Sequence, residues 1–418
     1  MADLIRVVQP SYYSRFHCIG STCEDTCCSG MTVDIDPDTL ARFKASSHPL
    51  FATINDHITE FAVDESMVVH AVFNPVDGAC PYLDPQRLCS IHAAVGEDAL
   101  AKTCAVYPRL MTRVDGYEYR SLYMSCPEAV RLALMDRAPM TFERVDTAPH
   151  PRVTEFATID TESADTDGKP YVHFEPINQF VIATLQDRRY AVWERVVIVG
   201  LFCERLQALV DSGDSASHSL ALIDTFASDI ESGALRSVLA SVSAQPSLQV
   251  VFAVRSIEER LAMEYTSPRF IECYRRFLEG IGFGESSATP DLVRAYEGAT
   301  AAYSDKLFAD YGHVLEHVLV NYAFRSLFPL GPQASLHLVP KTIFAEYVTL
   351  VMQYSILRTL LVGIMARLEG EPGDKMIVQT IQSFSKTIEQ SPAYLAQVRA
   401  GLESAAMATM PVMAALAR

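Results

Sequence analysis

The 418-residue sequence predicts a mainly α-helical protein, with a small, irregular, cysteine-rich N-terminal domain followed by a large all-α domain. Three observations predict this. Eight of the ten cysteines lie between Cys18 and Cys126. The same stretch carries the turn-formers Pro75, Gly78, Pro81, Pro85, Gly116 and Pro127, so its apolar core should be small. From about Pro176 onward, apolar residues recur every three to four positions, the period of a helix that buries one face.

The length allows two or three units at about 100–200 residues each. Residues 1–140 read as the cysteine-rich domain. Residues 141–175, which include Pro149, Pro151 and the acidic stretch DTESADTDG, read as a linker or extended arm. Residues 176–418 read as the helical domain. Within it, Phe180, Ile182, Leu185 and Tyr190 begin one amphipathic run, and Val196, Val199, Leu201, Leu206 and Leu209 continue in a second. The clearest helix carries Tyr347, Val351, Tyr354, Leu357, Leu361, Ile364 and Leu368. Pro329 and Gly331 mark a break before it.

Composition narrows the function. Hydrophobic residues make up 49% and charged residues 20%, enough apolar content for a real core and too little charge for wholesale disorder. The formal charge is 34 − 51 = −17, which disfavours nucleic-acid partners and anionic membrane surfaces. The opening MADLIRVVQPSYYSRF has no apolar signal core. The most apolar stretch, Thr349 to Leu368, is interrupted by Gln353 and Arg358 and reads as a buried core helix, not a membrane span. A cytoplasmic location is expected.

In a reducing cytosol, clustered cysteines point to metal or redox chemistry more than to disulfides. Cys18, Cys23, Cys27 and Cys28 share one short loop, while Cys80, Cys89, Cys104 and Cys126 are spaced further on. Thiolates are soft ligands suited to iron–sulfur clusters or to zinc. A surplus of thiols with irregular spacing leans toward iron–sulfur; short paired loops, with His17 or His92 completing a mixed site, would suit zinc. Disulfides or plain buried thiols are the third alternative. Cys203 and Cys273 sit in apolar helical contexts and read as small buried hydrophobes. Glu24 and Asp25 are placed to cap a helix beginning in the first loop.

Several catalytic signatures are absent. There is no G-x-G-x-x-G after a strand, no Walker A motif and no G-x-S-x-G elbow. A Cys-x3-Cys-x2-Cys loop would need a cysteine at position 30, which is Gly30.

The ordered segments FHCIGSTCEDTCCSGMTVDID, ACPYLD, LCSIH, TCAVYPR and SCPEA, followed by VNYAFRSLFPLG (Val320 to Gly331), resemble the flagellin lysine-N-methylases and their CxxCxxCC metal-chelating domain. The resemblance implies a cytoplasmic bacterial methyltransferase that modifies lysine ε-amines of flagellin. It implies S-adenosylmethionine as methyl donor and a [4Fe–4S] cluster drawn from Cys18, Cys23, Cys27, Cys28, Cys80, Cys89, Cys104 and Cys126. One such cluster takes four thiolates and eight are on offer. Catalytic residues stay unassigned. Tyr107 and Arg109, beside Cys104, and Asn321 and Tyr322, in the second matching stretch, are candidates for holding donor or substrate. The alternatives are an iron–sulfur redox or sensor protein without methyltransferase activity and a zinc-stapled partner-binding module.

Lysine methylation needs a neutral amine, yet a free lysine titrates near about 10.4. A narrow apolar channel ending in a tyrosine or carboxylate would desolvate the ammonium and give its proton a path out.

Overall fold

The computed structural model describes the chain apart from residues 1–3, 28, 30–32, 64–67, 87, 153–156, 163–167, 264–266, 284–288 and 332–341. The N-terminal region runs β1 (Ile5–Pro10), β2 (Asp34–Ile35), α1 (Pro37–Ala45), β3 (Ile58–Val63), β4 (Val68–Phe73), α2 (Ser90–Val95), α3 (Lys102–Val106), β5 (Arg109–Val114), β6 (Tyr117–Leu122), α4 (Pro127–Leu134), β7 (Phe142–Thr147) and β8 (Ala157–Ile159). Helices then take over: α5 (Phe174–Leu185), α6 (Val192–Ser212), α7 (Ser215–Ser232), α8 (Arg236–Ser241), α9 (Pro246–Leu261), α10 (Pro268–Gly280), α11 (Thr289–Arg325), α12 (Ile343–Arg367), α13 (Gly373–Phe384), α14 (Pro392–Ser404) and α15 (Met410–Ala417).

The protein is mainly helical, as the periodicity predicts, but its N-terminal region is more regular than expected. Five strands form a mixed sheet in the order β7-β1-β6-β5-β8, and three form an antiparallel sheet, β2-β4-β3. The β5–β6 hairpin turns on Asp115 and Gly116, both at positive φ, the geometry that matches strand twist across a two-residue loop. The segment 141–175, read from composition as a linker or arm, supplies both edge strands of the larger sheet. β7 pairs with β1 and β8 with β5. The acidic stretch DTESADTDG that suggested a linker follows β8, and its residues 163–167 lie outside the described residues.

Local signals explain many helix boundaries. Asp36 caps α1 by accepting from the Thr39 N–H, with Pro37 at the first helical position. Thr342 caps α12 in the same way through Ala345. α6 and α7 end on Gly213 and Gly233 in left-handed conformation.

Two apolar cores result. The larger embraces the helices together with Leu122, Met124 and the buried face of α4. The smaller gathers Val33, Ile35, Leu40, Phe43, Phe51 and Tyr82. At the centre of the larger lies α12. It is long and apolar enough to cross a bilayer by length and composition, but its most apolar window is 100% buried inside the protein. A helix that is apolar on all sides must be enclosed on all sides, and here α6, α10 and α11 enclose it. Cys203 and Cys273 are buried in this core, as their contexts predict.

Close packing around α12 uses glycine. A Cβ on Gly280, at the end of α10, would stand 1.9 Å from the Gly363 carbonyl oxygen of α12. Backbone cannot yield there as a side-chain tip can, so Gly280→Ala should separate the two helices. Denaturant melts should show a loss of about 1–3 kcal/mol; an unchanged midpoint would contradict the contact.

A buried ion cluster locks α11 to the α5–α6 region. Glu316, 1% exposed, accepts from Arg195 at 2.6 Å and from Arg188 at 2.9 Å. Burial acts to raise its pKa, but the two guanidinium bonds outweigh burial and hold it below the usual carboxylate value. Its stabilisation is therefore present above the unfolded-state value of about 4.3 and is lost as pH falls through the lower folded-state value. Glu316→Gln should cost about 3–5 kcal/mol near neutral pH, because it strands Arg195 in the core. The gap from the parent protein should narrow in acid. A pH-independent gap in urea melts would refute this role.

Candidate functional site

The structure gathers six of the candidate cysteines into one patch. Cys27 acts electrostatically on Cys23, Cys80, Cys104 and Cys126, and Cys89 acts on Cys80 and Cys104. Burial pushes the Cys80 thiol up to about 11 and Cys126 up to about 12, and the neighbouring sulfurs add to both shifts. Burial raises Cys23 and Cys104 as well. Cys18 is exposed and outside this set; Cys28 lies outside the described residues. No disulfide joins two of the nine described cysteines. The thiols are near enough to influence one another's ionisation. Among the described residues, however, no three His, Cys, Asp or Glu side chains are grouped to hold a metal ion. His17 and His92 are exposed.

Local structure sets each sulfur. Cys126 is the N-cap residue of α4, with Pro127 at the first helical position; its side chain makes no capping bond, and the nearby Glu128 and Ala129 N–H groups only partly offset the rise that burial gives its thiol. Cys89 caps α2 through a bond from the His92 N–H. Cys80 opens a turn with Pro81 second, closed by Leu83 N–H to the Cys80 carbonyl at 3.1 Å. Both Cys–Pro pairs in the sequence thus have a conformational reason. Cys104 projects from α3, and Cys23 follows a single 3₁₀ turn.

The patch lies where the two cores meet. Cys80, Cys89 and Cys104 pack against the smaller core, and Cys126 packs against the larger. The Cys23–Cys27 loop is held there by side chains remote in sequence. Arg131 grips the Glu24 carboxylate with two bonds, at 2.6 and 3.1 Å. These bonds hold Glu24 below its usual pKa although burial acts to raise it. Arg269 donates to the Glu24 carbonyl at 2.7 Å. Gln382 donates to Asp25 at 2.7 Å and to the Ser125 carbonyl at 2.9 Å. Lys386, its side chain 2% exposed, donates to the Thr26 carbonyl at 2.6 Å and lies 3.9 Å from Asp25. Lys386 sits on a π-helical turn, Ser385–Glu389, a feature that widens a helix and is frequent at functional sites. Among the described residues no helix starts at Glu24 or Asp25; these carboxylates anchor the loop to cations and to Gln382 instead of capping a helix.

The four candidate binding residues divide. Tyr107 is bonded to Ser125 at 2.8 Å, and burial drives its pKa well up, with Cys126 and Cys27 adding to the rise. It therefore borders the thiol patch as a neutral phenol. Arg109 lies 4.9 Å over the Phe16 ring; burial raises the pKa of the neighbouring Tyr13 and the Arg109 charge acts against that rise, and Arg109 has no carboxylate partner among the described residues. Asn321 is buried and bonded to Tyr12 and to the Leu122 carbonyl, which ties α11 to β6. Tyr322 lines a narrow, mostly apolar cavity of about 30 Å³ that also meets Gln353 and Glu389. That space is about the share of one water, so it does not accept a lysine side chain as it stands. Glu389 is paired with Arg325, which stacks over Tyr123 and Tyr322.

Sequence reading missed Arg131, Arg269, Gln382 and Lys386. No spacing rule finds them, since Gln382 and Asp25 are 357 positions apart.

These features define a class: a thiol-rich, strand-containing head joined at a polar seam to an all-helical body. The chain belongs to the FliB lysine N-methylase family, whose C-terminal domain matches residues 178–416. It is 35% identical over 133 residues to a lysine-N-methylase of Salmonella typhimurium and 34% identical over 133 residues to one of Salmonella choleraesuis. Each match covers 32% of this chain and 33% of the relative, so the chain spans about a third of the length of these two relatives. A flagellar biosynthetic protein, FliU, of Salmonella muenchen is 33% identical over 133 residues, 79% of its length. No solved structure matches.

The clamp on the loop is testable. Lys386→Met keeps most of the buried length and removes the charge. Backbone amides of residues 23–27 should then exchange with deuterium about tenfold faster, because the loop opens locally more often, at a global cost of about 1–3 kcal/mol. Unchanged exchange would remove Lys386 from the clamp.

Proposed function

We propose that the protein transfers methyl groups from S-adenosylmethionine to lysine ε-amines of flagellin, and that an iron–sulfur cluster occupies the thiol patch. The observation that carries this is the convergence of six thiols at the seam of a chain belonging to a lysine N-methylase family. The names of the Salmonella relatives, two lysine-N-methylases and a flagellar biosynthetic protein, support the substrate class.

The donor set suits a thiolate-bound group. Burial, and to a lesser degree the neighbouring sulfurs, raise the thiols of Cys23, Cys80, Cys104 and Cys126 beside Cys27 and Cys89, so a cation there would relieve both burial and repulsion. The four ligands would come from Cys23, Cys27, Cys80, Cys89, Cys104 and Cys126, with Cys18 and Cys28 from the same first loop. A cuboidal cluster presents several iron corners, so its thiolates need not crowd around one point. When bound, such a group would supply a multi-point cross-link between the two cores.

The transfer itself needs no radical. The neutral amine attacks the methyl carbon in line with the sulfonium, the carbon–sulfur bond breaks with its electron pair left on sulfur, and the amine proton leaves to solvent. The chain's part is to align the three atoms and exclude water. Tyr107, kept as a neutral phenol beside the patch, can orient a ligand there by hydrogen bonding.

Protein purified without oxygen should contain iron and inorganic sulfide, absorb in the visible and pass a labelled methyl group from S-adenosylmethionine to flagellin. Cys104→Ala should lose most of the bound iron. Full zinc occupancy without transfer would favour a zinc-stapled binding module. Iron and sulfide without transfer would favour a redox or sensor protein. A requirement for a one-electron reductant would overturn the polar mechanism.

A further inference from the structure

Between the larger sheet and α5 lies a hollow of about 390 Å³, far larger than the cavity at Tyr322. Small-ligand sites run from about 300 to 1,000 Å³, so its size suits one. Three features of its wall define what fits.

The first is a run of aromatic rings. The Phe324 ring, from α11, lies 4.8 Å from Phe142 of β7 and 5.5 Å from Tyr119 of β6, and all three line the hollow. Burial lifts the Tyr119 pKa to about 12, with the Glu175 charge adding to the rise, so it stands in the wall as a neutral phenol.

The second is the helix face opposite, where Asn178, Gln179 and Gln186 line the hollow. Their amide nitrogens are engaged. Asn178 donates to the Ala323 and Phe328 carbonyls, Gln179 to Glu175, and Gln186 to the Met140 carbonyl. What these side chains can best offer a ligand is acceptor oxygen.

The third is charge. The wall has one guanidinium, Arg144, and it is paired with Glu175. A phosphate chain would find no free cation here. The wall suits a flat ring that stacks on aromatic side chains, carries donors on its edge and bears positive charge near ring faces. Adenosine with a sulfonium at its 5′ position has these parts: the base, its exocyclic amine, the ribose hydroxyls and the charged sulfur. A lysine side chain would meet the same acceptors, but a single chain of methylenes would leave most of the space empty.

We propose that this hollow holds the adenosine end of the methyl donor, with the base against the rings of Tyr119, Phe142 and Phe324 and its donors toward α5. The assignment rests on the methyl-transfer reading and goes beyond it by giving the donor a site. Gln179 and Ala183 line the hollow and are exposed, so it is open to a lysine of another protein.

Anaerobic isothermal titration of the full-length protein tests it, with S-adenosylmethionine and 5′-methylthioadenosine, which keeps the adenosine end, as the two probes. Ala183→Trp fills the hollow from its exposed rim and should weaken both probes about tenfold, the loss of one base–aromatic stack. Iron content and melting temperature should stay at the parent values, because position 183 faces solvent. Photolabelling of the wild-type protein with the 8-azido derivative of S-adenosylmethionine needs no substitution, and its label should map to residues 142–144 or 178–186. Parent affinity for both probes in Ala183→Trp, or a label confined to other segments, would overturn the assignment and leave the methyl-transfer reading standing. Loss of binding for N-acetyl-lysine amide alone would make the hollow an acceptor site and overturn it equally. No binding of S-adenosylmethionine to the wild-type protein would overturn both.

Discussion

The structure depends on a charged clamp at the junction of two cores. The Cys23–Cys27 loop carries Glu24 and Asp25, and the rest of the protein meets them with Arg131, Arg269, Gln382 and Lys386. Without these partners, two carboxylates and several backbone carbonyls would be desolvated with nothing to bond. With them, the loop is fixed where sulfurs from the small core and the large core approach. Each polar contact contributes modestly, but losing one leaves a buried charge or carbonyl exposed to that cost.

This arrangement makes the thiol patch a property of the whole chain. Cys80, Cys89 and Cys104 are positioned by short turns and helices on the small core, whereas Cys126 is set by α4 on the large one. A metal group there would bind across the junction, so loading and docking of the two parts would be linked. The π-helical turn carries the same logic inward. Lys386 faces the cysteine loop, while Ser385 and Glu389 line the narrow cavity that contains Tyr322. A change at the loop therefore has a direct path to the helical core.

Much of the fold was legible because helices advertise themselves by period. The run through Tyr347, Val351 and Tyr354 reads as α12, and the apolar residues around Val196 read as α6, since burial of a continuous stripe constrains every third or fourth residue. The strands were harder. β7 is an edge strand whose polar, partly exposed positions break the apolar alternation of a half-buried strand, β8 is only three residues long, and residues 141–175 read as a linker. The site was half legible. Cysteines and Cys–Pro pairs are conspicuous, but the clamp residues are ordinary surface types until folding buries them.

The sequence alone determined the helical body, the concentration of thiols in the first third and the enclosed character of α12, because composition and period act locally. Only the tertiary structure decided which thiols meet, which cations hold their loop, and that α5 and the larger sheet leave a hollow between them. Those facts depend on contacts between residues hundreds of positions apart, as between Asp25 and Gln382, and chain closure over such distances leaves no trace in spacing.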